Sequence, residues 1–208
     1  MQARYSRLNQ ALHWTTAVCM FAILPLAWVM VNSKPGAAYR DALFNWHKTL
    51  GAIVLLVTAY RIVWRFFDPP PPYPPGVAAA DRTLAHIAYW LFFALLIFMP
   101  VTGYLGSAFG GHPLKLFNWI PTPQPVAPDK AMAEFLISLH LAGQWAVYTL
   151  IALHLGAVLI HVIWGRDGVL GRMLPASAVE PAEAPRPTAP AAARARQPER
   201  QAPYVRAR

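Results

Sequence analysis

The chain is short of cysteine, of charge and above all of acidic residues. A single cysteine, Cys19, stands in 208 residues. That count excludes a disulfide framework and a multi-cysteine metal cluster. Only 13% of the residues are charged, against about 25% in a typical soluble domain. A water-soluble globule of this size needs more charge to cover its surface. Nine acidic side chains face 18 Lys and Arg, for a formal net charge of +9. Apolar residues make up 56% of the chain, too many for one disordered throughout.

An excess of positive charge raises nucleic acid as a partner, but position argues against it. Residues 1–164 carry ten basic and five acidic side chains, and residues 165–208 carry eight and four. Ala, Pro and Arg account for 23 of the 33 residues from 176 to 208. Val179, Tyr204 and Val205 are the only larger apolar side chains there. Such a segment buries too little apolar surface to offset its ordering, so a disordered tail is expected over 176–208. No nucleic-acid partner is expected.

Residues 1–175 hold four apolar runs. Leu12–Val31 has 16 apolar residues in 20, Leu84–Leu105 has 18 in 22 and Phe135–Trp164 has 22 in 30. Trp46–Phe67 is apolar apart from small or polar interruptions and Lys48, Arg61 and Arg65. A hydrocarbon core takes about 20 helical residues to cross. Pro25 and Pro100 fall inside the runs, and Pro69–Pro75 and Pro121–Pro128 mark connections where helices stop. The expected fold is all-α, a bundle of four transmembrane helices at about 8–32, 46–67, 83–106 and 134–164. A soluble bundle with very apolar helices is the competing reading. The first run is too long for a signal-peptide core and lacks a clear cleavage site.

Four crossings put both termini on one side. Arg4, Arg7, Arg61, Arg65, Arg82 and the Arg-rich tail lie there; Lys34, Arg40, Lys48, Lys115 and Lys130 lie opposite. The positive-inside rule places both termini in the cytoplasm. Trp46, Trp64, Trp119 and Trp164 sit at expected boundaries, as interfacial aromatics do.

Six of the seven histidines lie in or at the edges of the runs. Ionisable groups in a membrane are costly and mark function, although one histidine alone is as readily a hydrogen-bonded packing residue. Depth changes this. His13 lies near the inner end of the first span, His47 near the outer end of the second, His140 near the outer end of the fourth. His154 lies 14 residues beyond His140, about 21 Å deeper and on nearly the same face. His13 therefore pairs with His154 on the inner side and His47 with His140 on the outer. Each pair suits one bis-imidazole haem iron, two haems in all. Zinc is weaker, since two histidines per level are too few ligands. Gly51, Gly143 and Gly156 would give room to a flat macrocycle, or serve helix packing.

The chain resembles the bacterial cytochrome b561 family, related to the cytochrome b subunits of nickel-iron hydrogenases. The likeness rests on Arg4-Tyr5-Ser6-Arg7-Leu8 running into Leu12-His13-Trp14, and on His47-Lys48-Thr49-Leu50-Gly51 followed by Tyr60-Arg61. It continues with His86 and Met99-Pro100-Val101-Thr102-Gly103, then His140, His154 and His161 ahead of Arg166-Asp167-Gly168-Val169-Leu170 and Arg172-Met173-Leu174-Pro175. It covers about residues 4–175. The resemblance implies two b-type haems held by His13, His154, His47 and His140. Leu141 stands where many relatives carry an acidic residue.

His161 is two turns beyond His154 on roughly the same face. It is a quinone- or proton-handling candidate, an alternative to His154 as ligand, or an interfacial residue. His86 invites the same question. Arg7, Arg61 and Arg65 on the inner side and Lys48 on the outer could pair with haem propionates, or serve topology and snorkelling. By resemblance, the expected activity is electron transfer between superoxide outside and ubiquinone, in a bacterial inner membrane. The outer basic residues, net +2 after Asp41, Asp129 and Glu134, would steer such an anion. The alternative is an anchor and relay subunit joining a hydrogenase or other periplasmic redox enzyme to quinone.

Overall fold

Apolar runs flanked by capping residues place the helices. The computed structural model describes residues 4–74, 76–165 and 168–175. The tail at 176–208 lies outside the described residues. Helix α1 spans Arg7–Asn32, α2 Arg40–Trp64, α3 Ala79–Phe109 and α4 Lys130–Ile160. A π-helical turn, His161–Gly165, extends α4, and a 3-10 turn, Leu170–Arg172, follows. Ser6 caps α1 by accepting from the Asn9 amide at 3.2 Å, and Asp129 caps α4 by accepting from Met132 at 3.0 Å.

Helix α2 starts at Arg40, six residues ahead of its apolar run. Its first turns, Arg40-Asp41-Ala42-Leu43-Phe44-Asn45, are too mixed to read as membrane-spanning. They are helical because the chain keeps its hydrogen-bond ladder through the interface. Pro25 and Pro100 sit inside α1 and α3 without ending them. Long apolar helices tolerate this where neighbours satisfy the freed backbone groups.

Backbone packing runs between successive helices, α1 on α2, α2 on α3 and α3 on α4. Cys19, Val54 and Leu96 form the core, with Met20, Ile23, Leu50, Ile53 and Phe92 against them. Outside this layer the helices present apolar side chains outward: Leu56 is 70% exposed, Val18 66% and Leu153 65%. Water does not favour so continuous an apolar surface. All four helices are long and apolar enough to cross a membrane. The fold is a four-helix membrane bundle.

The two ends are closed differently. At the link end, β1 (Lys115–Leu116) pairs antiparallel with β2 (Ile120–Pro121). The hairpin sits on α2: Phe117 N–H donates to Thr49 Oγ1 at 2.9 Å, and the Phe117 ring meets Trp46 edge-on at 6.0 Å. At the terminal end, the segments before α1, after α2 and after α4 interlock. Gln10 Nε2 donates to the carbonyls of Tyr5 (3.0 Å), Leu174 (3.2 Å) and Arg172 (3.3 Å). Trp14 Nε1 donates to Met173 at 2.8 Å, and the Tyr5 amide to Arg172 at 3.1 Å. Asp68 accepts from Ser6, from Asn9 Nδ2 at 2.8 Å and from Trp64 Nε1 at 3.2 Å.

Candidate functional site

The up-and-down course of the chain carries His13 of α1 and His154 of α4 to one level, near the terminal end. Their ring centroids are 6.4 Å apart, with the planes at 61°. It carries His47 of α2 and His140 of α4 to a second level, near the link end. There the centroids are 6.1 Å apart and the planes at 79°. Fourteen residues of α4 separate the levels, about 21 Å along the helix. The apolar layer of Cys19, Val54 and Leu96 lies between them.

These spacings suit one metal atom between each pair of rings. An imidazole nitrogen binds a first-row metal at about 2.0 Å and stands about 1.2 Å from its own ring centroid. Two rings sharing one metal then have centroids about 6.4 Å apart. Among the described residues no group of three or more His, Cys, Asp or Glu converges on a point. Both sites are pairs of neutral nitrogen donors on an apolar bundle interior, and haem iron accepts such a set.

His140 is held from behind. Its Nδ1–H donates to the Met99 carbonyl at 2.8 Å, and Thr102 Oγ1 stands 3.4 Å from the same nitrogen. A carbonyl only accepts, so Nδ1 carries the proton and Nε2 keeps its lone pair free. Gly103 lets the ring approach: a Cβ there would lie 2.9 Å from His140 Cε1. His47 Nδ1 is buried near the backbone of Ile23 of α1 and makes no hydrogen bond there. His154 is more open than the other three rings, and Phe92 meets it edge-on at 5.3 Å.

The glycines divide. Gly51 and Gly156 face open space, as room for a flat group requires. Gly143 does not: a Cβ there would lie 2.6 Å from Met99 Sδ, so it serves the contact between α3 and α4.

The remaining candidates also separate. Arg61 and Arg65 lie on the inward stripe of α2, with Arg61 Nη1 3.4 Å from Thr16 Oγ1, one turn past His13. Arg7 is exposed at the start of α1. Lys48 reaches the His112 carbonyl at 3.2 Å and ties α2 to the link beyond α3. His86 belongs to neither level. It lies on the outside of α3, where its Nε2 accepts from Trp90 Nε1 at 3.1 Å. His161 opens the π-helical turn and lines a cavity of about 250 Å³ with Val162, Gly168, Val169 and Leu170. Sequence reasoning missed what Met99 and Thr102 do for His140. Their motif was visible, but its target lies across the bundle.

A membrane bundle with paired histidines facing inward at two depths defines the class, a membrane redox cytochrome. Residues 4–176 match the family described as prokaryotic cytochrome b561, and the chain belongs to that family. Membership implies haem b. "Cytochrome b561 homolog 2" of Escherichia coli (strain K12) is 30% identical over 172 residues, 82% of this chain and 91% of that protein. "Probable superoxide oxidase CybB" of Yersinia pestis is 27% identical over 177 residues, 84% of this chain and 98% of that protein.

Proposed function

We propose that the protein is a dihaem b-type cytochrome that takes electrons from superoxide on the outer face and delivers them to ubiquinone. The observation that carries this reading is the pairing of four histidines at two depths, each pair about one bis-imidazole iron apart. The similarity to a relative named a probable superoxide oxidase supports the substrate. Both termini lie in the cytoplasm of a bacterial cell, and the bundle crosses the inner membrane.

When bound, the two haems supply one-electron centres at the two faces. His13 and His154 would hold the inner one, His47 and His140 the outer one. The Met99 carbonyl keeps His140 in the tautomer that ligation needs. Arg7, Arg61 and Arg65 on the inner side are the residues for propionate pairing. Lys48 is less suited, being engaged by the His112 carbonyl, and His86 is bonded to Trp90. Outer basic residues draw in the anion. Two superoxide ions give two O₂ and two electrons; one quinone takes those electrons and two protons to become quinol. His161, beside its cavity at the inner end, is the residue for the quinone and its protons.

Stopped-flow mixing of oxidised protein with superoxide tests the reading. Reduction of the b-type bands is expected, followed by reoxidation on adding ubiquinone. Bands that stay oxidised, together with a co-purifying iron–sulfur partner, would instead make the protein an anchor and relay subunit.

A further inference from the structure

One face of α2, continued by its C-cap Arg65, carries His47, Gly51, Val54, Thr58 and Arg61. Steps of three or four residues keep these side chains within about 40° of His47 around the helix axis. Val54 and Thr58 are 2% and 0% exposed, so this face points into the bundle. Two arginines on the inward face of a membrane helix need a partner.

Among the described residues no carboxylate serves them. The ion pair among the described residues is Lys130–Glu134, at the other end of the molecule. Asp68 is occupied by Ser6, Asn9 and Trp64. Arg61 instead lies 5.4 Å over the Phe93 ring, and Arg65 lies 4.1 Å over Tyr89. A third guanidinium joins them. Arg172, 4% exposed, donates to the Pro71 and Pro72 carbonyls at 2.5 and 3.1 Å and lies 5.4 Å from the rings of Tyr5 and Tyr73. All three arginines are within electrostatic reach of Tyr5. Burial pushes the Tyr5 hydroxyl above its ordinary value, so it stays a neutral phenol and cancels none of the charge.

Thr58, one turn from Arg61, adds a second sign. Its hydroxyl is fully buried and has no hydrogen-bond partner. Thr16, Thr49 and Thr102 each satisfy theirs on a carbonyl four residues back. Half-buried Arg61 and Arg65, the buried Arg172 and an orphan donor together describe a place prepared for an anion.

We propose that Arg61 and Arg65, backed by Arg172, take the carboxylates of the haem held by His13 and His154, and that their charge makes electron transfer from the outer to the inner site downhill. This rests on the dihaem reading above. Reduction adds one negative charge to the inner site, and nearby cations stabilise that state. At the outer end the nearest cations are two, Arg40, 4.8 Å over Phe44 and followed by Asp41, and Lys48 beside His47, against three arginines at the inner end. The inner end is therefore the more electropositive. One electron would pass from a haem held by His47 and His140 to one held by His13 and His154, with no bond formed or broken.

A spectroelectrochemical titration of the full-length protein tests this, with the inner component identified as the one missing from His13→Ala. In the native protein the inner component should have the higher potential. Arg61→Gln should shift its reduction equilibrium about tenfold toward the oxidised form, about 59 mV for one electron, and leave the outer component in place. Arg61→Lys, which keeps the charge, should restore most of the shift. Arg65→Gln serves if Arg61→Gln does not fold. Unmoved components, or an inner component below the outer one, would overturn the proposal. So would an anionic phospholipid, seen by native mass spectrometry and lost in Arg61→Gln with both potentials unchanged. A native protein without b-type bands would instead sink the dihaem reading itself.

Discussion

Gly103 and His140 touch across the interface of α3 and α4: a Cβ on the glycine would lie 2.9 Å from His140 Cε1 and 3.0 Å from Nδ1. The same ring donates to Met99 one turn back. Backbone and bond together set where the imidazole points. Gly103→Ala should push the ring off the Met99 carbonyl and loosen the outer site. The expected result is loss of most of one haem, with the other retained, measured as haem per protein by the pyridine haemochrome assay. Full occupancy with unchanged spectra would contradict it.

The pairing makes a grouped prediction. His13→Ala and His154→Ala should remove the same spectral component, and His47→Ala and His140→Ala the other. Adjacent residues in the sequence do not group this way; depth does. Low-temperature difference spectra of the four variants check it. Any variant that loses both components while remaining folded would break the two-level assignment.

The glycines allow steric contrast. Gly51 faces open space and Gly143 is pressed on Met99. Gly51→Phe should fill room meant for the cofactor, lowering haem content while the bundle still folds. Gly143→Ala should act on packing instead, costing about 1–3 kcal/mol as overpacking does. Thermal melts and haem content, read side by side, separate the two.

Much of the bundle was legible in the sequence because a membrane permits few solutions. Length and apolarity alone marked four helices, and the spacing from His140 to His154 placed two depths. What was not legible depended on partners far apart in the chain. Gln10 looks like any polar residue near a helix start, yet it binds carbonyls more than 160 residues away. Arg172 looks like a surface charge in a polar turn and is buried. In sequence Gly143 reads equally as haem space or helix packing, because a glycine's purpose depends on what faces it, and Met99 does. His86, near the start of the third span, reads equally as a quinone or an interfacial residue; it is exposed and bonded to Trp90 of its own helix.

Gln10 should therefore be a stability residue at the terminal end. Its amide nitrogen serves three carbonyls from two segments. Gln10→Ala takes this donor from the part-buried Tyr5 and Leu174 carbonyls and leaves Arg172 only the Tyr5 amide, at about 1–3 kcal/mol. Hydrogen exchange should quicken at the Tyr5 amide, which donates to Arg172, while haem content at the outer site stays constant. Removing residues after Pro175 should change neither that exchange nor the haem content.

Tyr5 gives this end a pH limit. Burial raises its hydroxyl above the ordinary value of 10.0, and Arg172, Arg65 and Arg61 only partly oppose this. The folded state then holds the proton more tightly than the unfolded chain does. Stability from the neutral phenol is fully present below about pH 10 and falls as pH rises from there through the folded value. Tyr5→Phe has no proton to lose, so its alkaline stability curve should be flatter than that of the native protein. The measurement is a series of thermal melts from pH 8 upward, at fixed ionic strength so that charge screening stays constant. Parallel curves for the two proteins would mean that the hydroxyl titrates freely and that the interlocked segments do not bury it.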